Sequence, residues 1–275
     1  MKVFLSSCVL LLACLLAYFT SARARIWTRE LTMMAWVSQT SEIPYGPDPQ
    51  NRLDFMRPRW SHGGARPAVV VFHGGAWLDG SRAEMRDRVC RRYLAHGFSV
   101  ANVEYRRGLL PASEDALRSL EWVFRNASSY DIDPARIVVT GESAGAHLAL
   151  YAAFTSRLPV AAVINFYGIS DLTALRDAPL VRAVLPPDGA GPDQARRLSP
   201  IVQVHPDTPP LFSIHGTGDP VVPLDQTLRL TGRIRSQGGD AEELTLENAQ
   251  HGFSNSQLET AYSAVFAFLG RRGIS

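Results

Sequence analysis

The sequence predicts an α/β fold built on a mostly parallel sheet, and three observations carry that expectation. Short β-branched and apolar runs of strand length recur along the chain, separated by stretches with helical patterning. The chemically suggestive residues fall directly after those runs, at the strand ends where ligands gather in parallel sheets. A chain of 275 residues that is 46% hydrophobic and 20% charged also suits one large globular domain.

The elements follow in order. Residues 3–19 form an apolar run after Lys2, followed by a small-x-small site at Ala22 and Ala24. That describes an export signal. The run also just reaches transmembrane length, and Arg23, Arg25 and Arg29 behind it favour a cytoplasmic flank, so an uncleaved anchor is the competing reading. Residues 1–24 are therefore set apart as a leader, and residues 31–275 as the folded domain. Residues 41–58, rich in proline and glycine, read as an irregular entry with one short strand near 52–55. A buried strand at 68–72 ends in His73-Gly74-Gly75, and a polar helix at 81–95 is closed by Gly97. After a strand at 98–105, Ser113, Glu114 and Asp115 open a helix to 125, with acid at its positive end. The strand at 137–140 runs straight into Gly141-Glu142-Ser143-Ala144-Gly145 and a helix of small residues. Further strands are expected at 160–166, 211–215 and 241–246, with helices at 225–236 and 255–269. The segment 168–210, broken by proline and glycine, is long enough for a small lid and too short for a large helical cap.

Composition excludes little. A formal charge of +2 gives no support to nucleic-acid binding, and the seven histidines form no metal-ligand motif. Cys8 and Cys14 lie in the leader, leaving Cys90 alone in the domain, so no internal disulfide is expected there.

Gly141-Glu142-Ser143-Ala144-Gly145 is the strongest chemical signal. A serine between strand and helix adopts strained backbone angles, and the flanking glycines let the two elements pass closely. The helix N-terminus offers free amides to a developing negative charge. His73-Gly74-Gly75-Ala76-Trp77 ends the strand two before it, and consecutive glycines there bring backbone donors to a substrate oxygen. Acyl transfer passes through an oxyanion that needs two or three fixed donors, which backbone N–H groups supply without reorganisation. Ser143 needs a base, and His251, between the last strand and last helix, is in the expected chain order; His215 is the runner-up. Asp219, in the loop after 211–215, is the expected acid that orients His251. Asp171 and Asp225 are its alternatives.

Together HGGAW, GESAGAHLAL, GDPVVP and HGF resemble the esterase branch of the α/β-hydrolases related to hormone-sensitive lipase. The likeness is to carboxylesterases of the feruloyl-esterase-like and kynurenine-formamidase-like groups, and it spans about residues 43–270. The resemblance implies an α/β-hydrolase fold with a minimal cap and a cofactor-free serine carboxylic-ester hydrolase. Its triad would be Ser143, Asp219 and His251, its oxyanion hole Gly74, Gly75 and Ala76 with Ala144, and His73 would brace the oxyanion loop. One departure is HGGAW where lipases read HGGG, which makes the third donor a non-glycine residue and sets Trp77 where it could crowd the site. That and the short lid imply small or short-chain esters. An amidase or formamidase with the same triad, and a non-catalytic binding module on the same fold, are the competing readings. Trp36, Trp60 and Trp122 read as packing or surface groups, and the arginine-rich stretch 86–92 as a solvated helix face.

Overall fold

The computed structural model describes residues 36–59, 64–185 and 191–274. The leader, with Cys8, Cys14 and the arginines at 23, 25 and 29, and Trp60 lie outside the described residues. Among the described residues no helix is long and apolar enough to cross a membrane.

Eight strands form one sheet: β1 (Val37–Pro44), β2 (Arg52–Pro58), β3 (Arg66–Phe72), β4 (Ser99–Val103), β5 (Ile132–Glu142), β6 (Ala162–Phe166), β7 (Leu211–Gly216) and β8 (Ala241–Leu246). Their spatial order is β1-β2-β4-β3-β5-β6-β7-β8. β1 and β2 run antiparallel to their neighbours, and every pairing from β4 to β8 is parallel. The inner parallel strands are buried on both faces along their shared register, which is why β3 and the second half of β5 read as apolar runs rather than alternating ones, whereas the edge strand β8 is only partly buried.

Side-chain alternation divides the core. Ala68, Val70 and Phe72 of β3 join one cluster, Val69 and Val71 the other. The first cluster takes in helix α3 (Leu109–Arg125), helix α4 (Ala144–Thr155) and helix α7 (Asp225–Ser236). The second takes in α1 (Arg82–Met85), α2 (Arg91–Ala95) and α8 (Asn255–Gly270), the last started by a capping box between Ser254 and Gln257. Each fully buried Val, Leu or Phe contributes about 1.5–3 kcal/mol, so the two clusters dominate the cohesion of the fold.

Several expectations need correction. β1 was not expected: its eight residues, VSQTSEIP, carry little apolar signal and face solvent over most of their length. The helix expected at 81–95 is interrupted by a π-turn at Arg86–Cys90, which swings Arg88 inward toward Glu142 instead of leaving it on a solvated face. Helix α3 begins at Leu109 rather than Ser113, because Gly108 at φ 101° turns the chain and Pro111 suits a first helical turn. Ser113 instead returns its hydroxyl to the Leu109 carbonyl. The lid segment holds α5 (Pro179–Arg182), α6 (Gly191–Arg197) and a 3-10 turn at Pro200–Gln203.

The two sheet edges differ in construction. β1 is bulged between Thr40 and Ile43, with Glu42 at φ 60°, and ends in Pro44. β8 carries Glu242, paired with Arg271 and Arg272, and Glu243, paired with Arg235.

Candidate active site

Ser143 sits where β5 becomes α4, with φ 54° and ψ −119°. Such angles cost a non-glycine residue about 1–3 kcal/mol and persist only where the surroundings enforce them. Here Ser143 N–H donates to the Phe166 carbonyl at 3.0 Å, and its own carbonyl accepts from His147 N–H at 3.0 Å. The flanking glycines are required by contact. A Cβ at Gly141 would lie 2.3 Å from the Gly145 carbonyl carbon, and one at Gly145 would lie 2.2 Å from the Phe72 carbonyl oxygen. Helix α4 is therefore pressed against both β5 and the end of β3.

The loops after β5, β7 and β8 bring three expected residues together. Ser143 Oγ lies 2.9 Å from His251 Nε2, and His251 Nδ1 lies 2.8 Å from Asp219 Oδ2. A carboxylate only accepts, so Nδ1 carries the proton and Nε2 offers its lone pair to the Ser143 hydroxyl. Burial opposes ionisation of Asp219. Hydrogen bonds from His215, His251 and the Val222 and Val221 amides outweigh it and hold the carboxyl well below the usual range. Asp219 Oδ1 accepts from the Val221 and Val222 amides at 2.8 and 2.9 Å, which leaves Oδ2 for imidazole.

The alternatives are placed elsewhere. His215 is buried beneath the acid: Nδ1 meets Thr227 Oγ1, while Nε2 meets the Val222 carbonyl at 2.8 Å and Asp219 Oδ2 at 3.5 Å. It props the acid loop and has no contact with Ser143. Asp171 accepts from Thr173 and Ala174 and pairs with Arg229; Asp225 is exposed and also faces Arg229. Neither meets His251.

Of the oxyanion candidates, Gly74 and Ala144 adjoin Ser143. A Cβ at Gly74 would lie 3.1 Å from the Glu142 carbonyl oxygen and 3.7 Å from Ser143 Cβ, so this loop abuts the serine turn. Gly75 has φ 117°, and a Cβ there would meet the Asp79 carbonyl oxygen at 2.0 Å. Ala76 and Trp77 follow in the left-handed region at φ 54° and 60°. Ala144 begins α4, where the first amides lack intrahelical partners. His73 is buried and stacks on Tyr105, its Nδ1 2.8 Å from the Gly74 carbonyl and its Nε2 3.0 Å from Glu104. Its contacts are to the loop and its neighbours, the bracing arrangement the resemblance implies. Trp77 does not crowd the site: its indole is 0% exposed, turned into the core, and donates to His147 Nδ1 at 3.2 Å.

Sequence reasoning passed over a second layer. Glu142 accepts from Arg88 at 2.9 Å, and Arg88 reaches Tyr167, whose ring meets His251 edge-on at 4.9 Å. Burial lifts the Glu142 carboxyl above its usual range although Arg88, Tyr167 and His251 oppose that shift. The signal available was Arg88 itself, an arginine between apolar Val89 and acidic Asp87 in a helix otherwise read as surface.

A serine raised on this turn above a mostly parallel sheet, with an imidazole and a carboxylate supplied by later loops, defines the α/β-hydrolase fold. Within that fold the chain belongs to the BD-FAE family, whose model matches residues 53–234. The resemblance read from the motifs is thereby borne out. Esterase LipQ of Mycobacterium tuberculosis is 31% identical over 269 residues, covering 86% of this chain and 63% of its own length. Isoprenylcysteine alpha-carbonyl methylesterase ICME of Arabidopsis thaliana is 28% identical over 238 residues, covering 76% of this chain and 55% of its own. This chain thus spans about half to two thirds of the length of such relatives. Among solved structures, a truncated carbohydrate esterase from gut microbiota aligns with TM-score 0.74 and 21% identity, over 87% of this chain and 98% of its own. A native esterase, Est2, of Thermogutta terrifontis aligns with TM-score 0.72 and 24% identity, over 88% and 94%.

Proposed function

We propose that this protein is a serine carboxylic-ester hydrolase that cleaves small or short-chain acyl esters through an acyl-enzyme on Ser143. The hydrogen-bond chain from Ser143 through His251 to Asp219, at 2.9 and 2.8 Å, carries the reading. Esterase relatives and the family membership support the reaction class.

In this reading His251 Nε2 takes the Ser143 proton as Oγ attacks the acyl carbonyl. The tetrahedral oxyanion is received by amides of Ala144 and the Gly74–Gly75–Ala76 loop. His251 then protonates the departing alkoxide, and the alcohol leaves. Water, deprotonated by the same imidazole, attacks the acyl-enzyme; collapse returns the proton to Ser143 and frees the acid. Asp219 keeps the imidazole in its productive tautomer and stabilises the cation without taking the proton. The shortness of the segment 168–210, too small for a large helical cap, supports the short-chain preference. For residues 3–19 the proposal is export or membrane anchoring of a catalytic unit at 31–275, separable by assaying washed membranes against the soluble fraction.

The test is labelling by a fluorophosphonate probe together with a p-nitrophenyl ester series. Labelling is expected to vanish in Ser143→Ala, and turnover is expected to peak at acetate or butyrate. An unlabelled, folded wild type overturns the enzyme reading. Rates that climb to long chains and demand a lipid interface overturn the substrate class.

A further inference from the structure

We infer that His147 is a positioning residue that locks the oxyanion loop and the lid to the helix bearing Ser143, with Trp77 as its partner in the loop. The inference rests on the reading of Ser143 as nucleophile and adds what holds the electrophilic side of that site.

Ala76 and Trp77 both lie at positive φ without being glycine, and Ala76 is an expected donor. A loop in such a conformation relaxes unless something beyond its own backbone fixes it. The fixing group is the indole of Trp77, fully buried and set perpendicular to the His147 ring, with centroids 5.1 Å apart. Its one polar atom, Nε1–H, has His147 Nδ1 as acceptor. An indole N–H only donates, so Nδ1 must present a lone pair.

The other ring nitrogen points the opposite way. His147 Nε2 lies 2.8 Å from the carbonyl of Leu198, which follows lid helix α6. A carbonyl only accepts, so Nε2 must carry the proton. Both partners therefore demand one neutral tautomer, and the ring is fully buried. Burial pushes its pKa down to about 4 against the opposing Leu198 bond, so that tautomer persists at neutral pH. Through its own N–H the same residue holds the Ser143 carbonyl. The ring thus ties two pieces, the loop carrying the oxyanion donors and the lid, to the helix that bears Ser143, while the backbone N–H of the same residue belongs to the first turn of that helix. The same contact accounts for the HGGAW pattern. Where a run of glycines would leave the loop to its neighbours, a tryptophan anchors it to the serine helix.

The two ring nitrogens can be removed separately. The amide oxygen of Asn falls near the position of Nδ1, and the amide nitrogen of Gln near that of Nε2. His147→Gln keeps the tie to Leu198 and strips the indole of its acceptor; Trp77→Phe strips the indole donor itself. Both are expected to lower kcat on p-nitrophenyl acetate about tenfold with KM within about twofold, since misplaced donors weaken the transition state rather than ground-state binding. The double variant is expected to lose no more than the worse single, because both cut one bond. His147→Asn restores the acceptor and is expected to recover most of that kcat while raising KM through the freed lid.

Wild-type kcat in both His147→Gln and Trp77→Phe overturns the inference, as does full additivity in the double. Should the variants fail to fold, nitrogen NMR of the wild type decides. A lone-pair signal at Nδ1 and a slowly exchanging Trp77 indole proton at pH 7 are expected, and a protonated Nδ1 overturns it. A wild type that neither hydrolyses esters nor labels at Ser143 sinks the proposed function instead, which separates the two failures.

Discussion

Gly145→Ala adds one methyl group where the structure has no room for it. The new Cβ would lie 2.2 Å from the Phe72 carbonyl oxygen and 2.4 Å from that of His73, both backbone atoms at the end of β3. Reaching ordinary van der Waals contact requires α4 and β3 to part by about 1 Å. That gap opens between the two sets of proposed oxyanion donors, Ala144 on one side and Gly74 to Ala76 on the other. A misplacement of about 1 Å at reacting groups costs on the order of 100-fold in rate, and overpacking costs about 1–3 kcal/mol of stability. The expected result is a kcat/KM on p-nitrophenyl acetate reduced about 100-fold and a Tm lower by several degrees. Gly232→Ala is the control: nothing lies within 4 Å of a Cβ there, in the middle of α7. The same methyl group is expected to leave activity alone and to stabilise by about 0.5–1 kcal/mol through helix propensity. Full activity and an unchanged Tm in Gly145→Ala would refute the claim that contact between α4 and β3 sets the site.

Asp219→Asn removes the anion that selects the His251 tautomer, and kcat is expected to fall about 10⁴-fold with KM little changed in steady-state assays. Acid stability has a defined window. His147 titrates near 4 in the folded protein and near 6.5 when unfolded, so the unfolded chain binds the proton first as pH falls. Its contribution is complete above about 6.5 and is lost by about 4, amounting to about 3 kcal/mol, and urea midpoints across that range are expected to show it. Asp219, with its carboxyl held low, is expected to add a separate loss only below about pH 3.8. Cys90 is buried and its thiol is pushed up by burial, so it is expected to resist a thiol reagent in the native protein and react on unfolding.

The parts legible in the sequence are those governed by local chemistry. β3 and the second half of β5 announce themselves because stretches buried on both faces favour unbroken β-branched and apolar residues, and the glycines around Ser143 because the turn tolerates nothing larger. The loop order after β5, β7 and β8 points to His251 rather than His215 as the neighbour of Ser143, and His251 is the one that meets its hydroxyl. Other features depend on distant partners. β1 is held by its pairing with β2 rather than by its own residues, so VSQTSEIP gives no strand pattern. Trp77 reads as an obstacle in the sequence because its anchor, His147, lies 70 positions along the chain. His147 reads as one more residue of a small-residue helix, and only the approach of the HGGAW loop and Leu198 gives its two nitrogens distinct tasks.

The edges of the sheet bear on how the molecule meets copies of itself. An open strand is a template on which another chain can build, and each end of this sheet carries its own obstacle. At β1 the bulge at Glu42 and the closing Pro44 break the regular row of donors and acceptors. At β8 an incoming strand would meet a ridge of carboxylates already claimed by Arg235, Arg271 and Arg272. Removing those guanidiniums would cost little in fold stability, since surface ion pairs contribute about 0–1 kcal/mol each. Their larger effect is on colloidal behaviour: they make runaway strand-on-strand growth unfavourable.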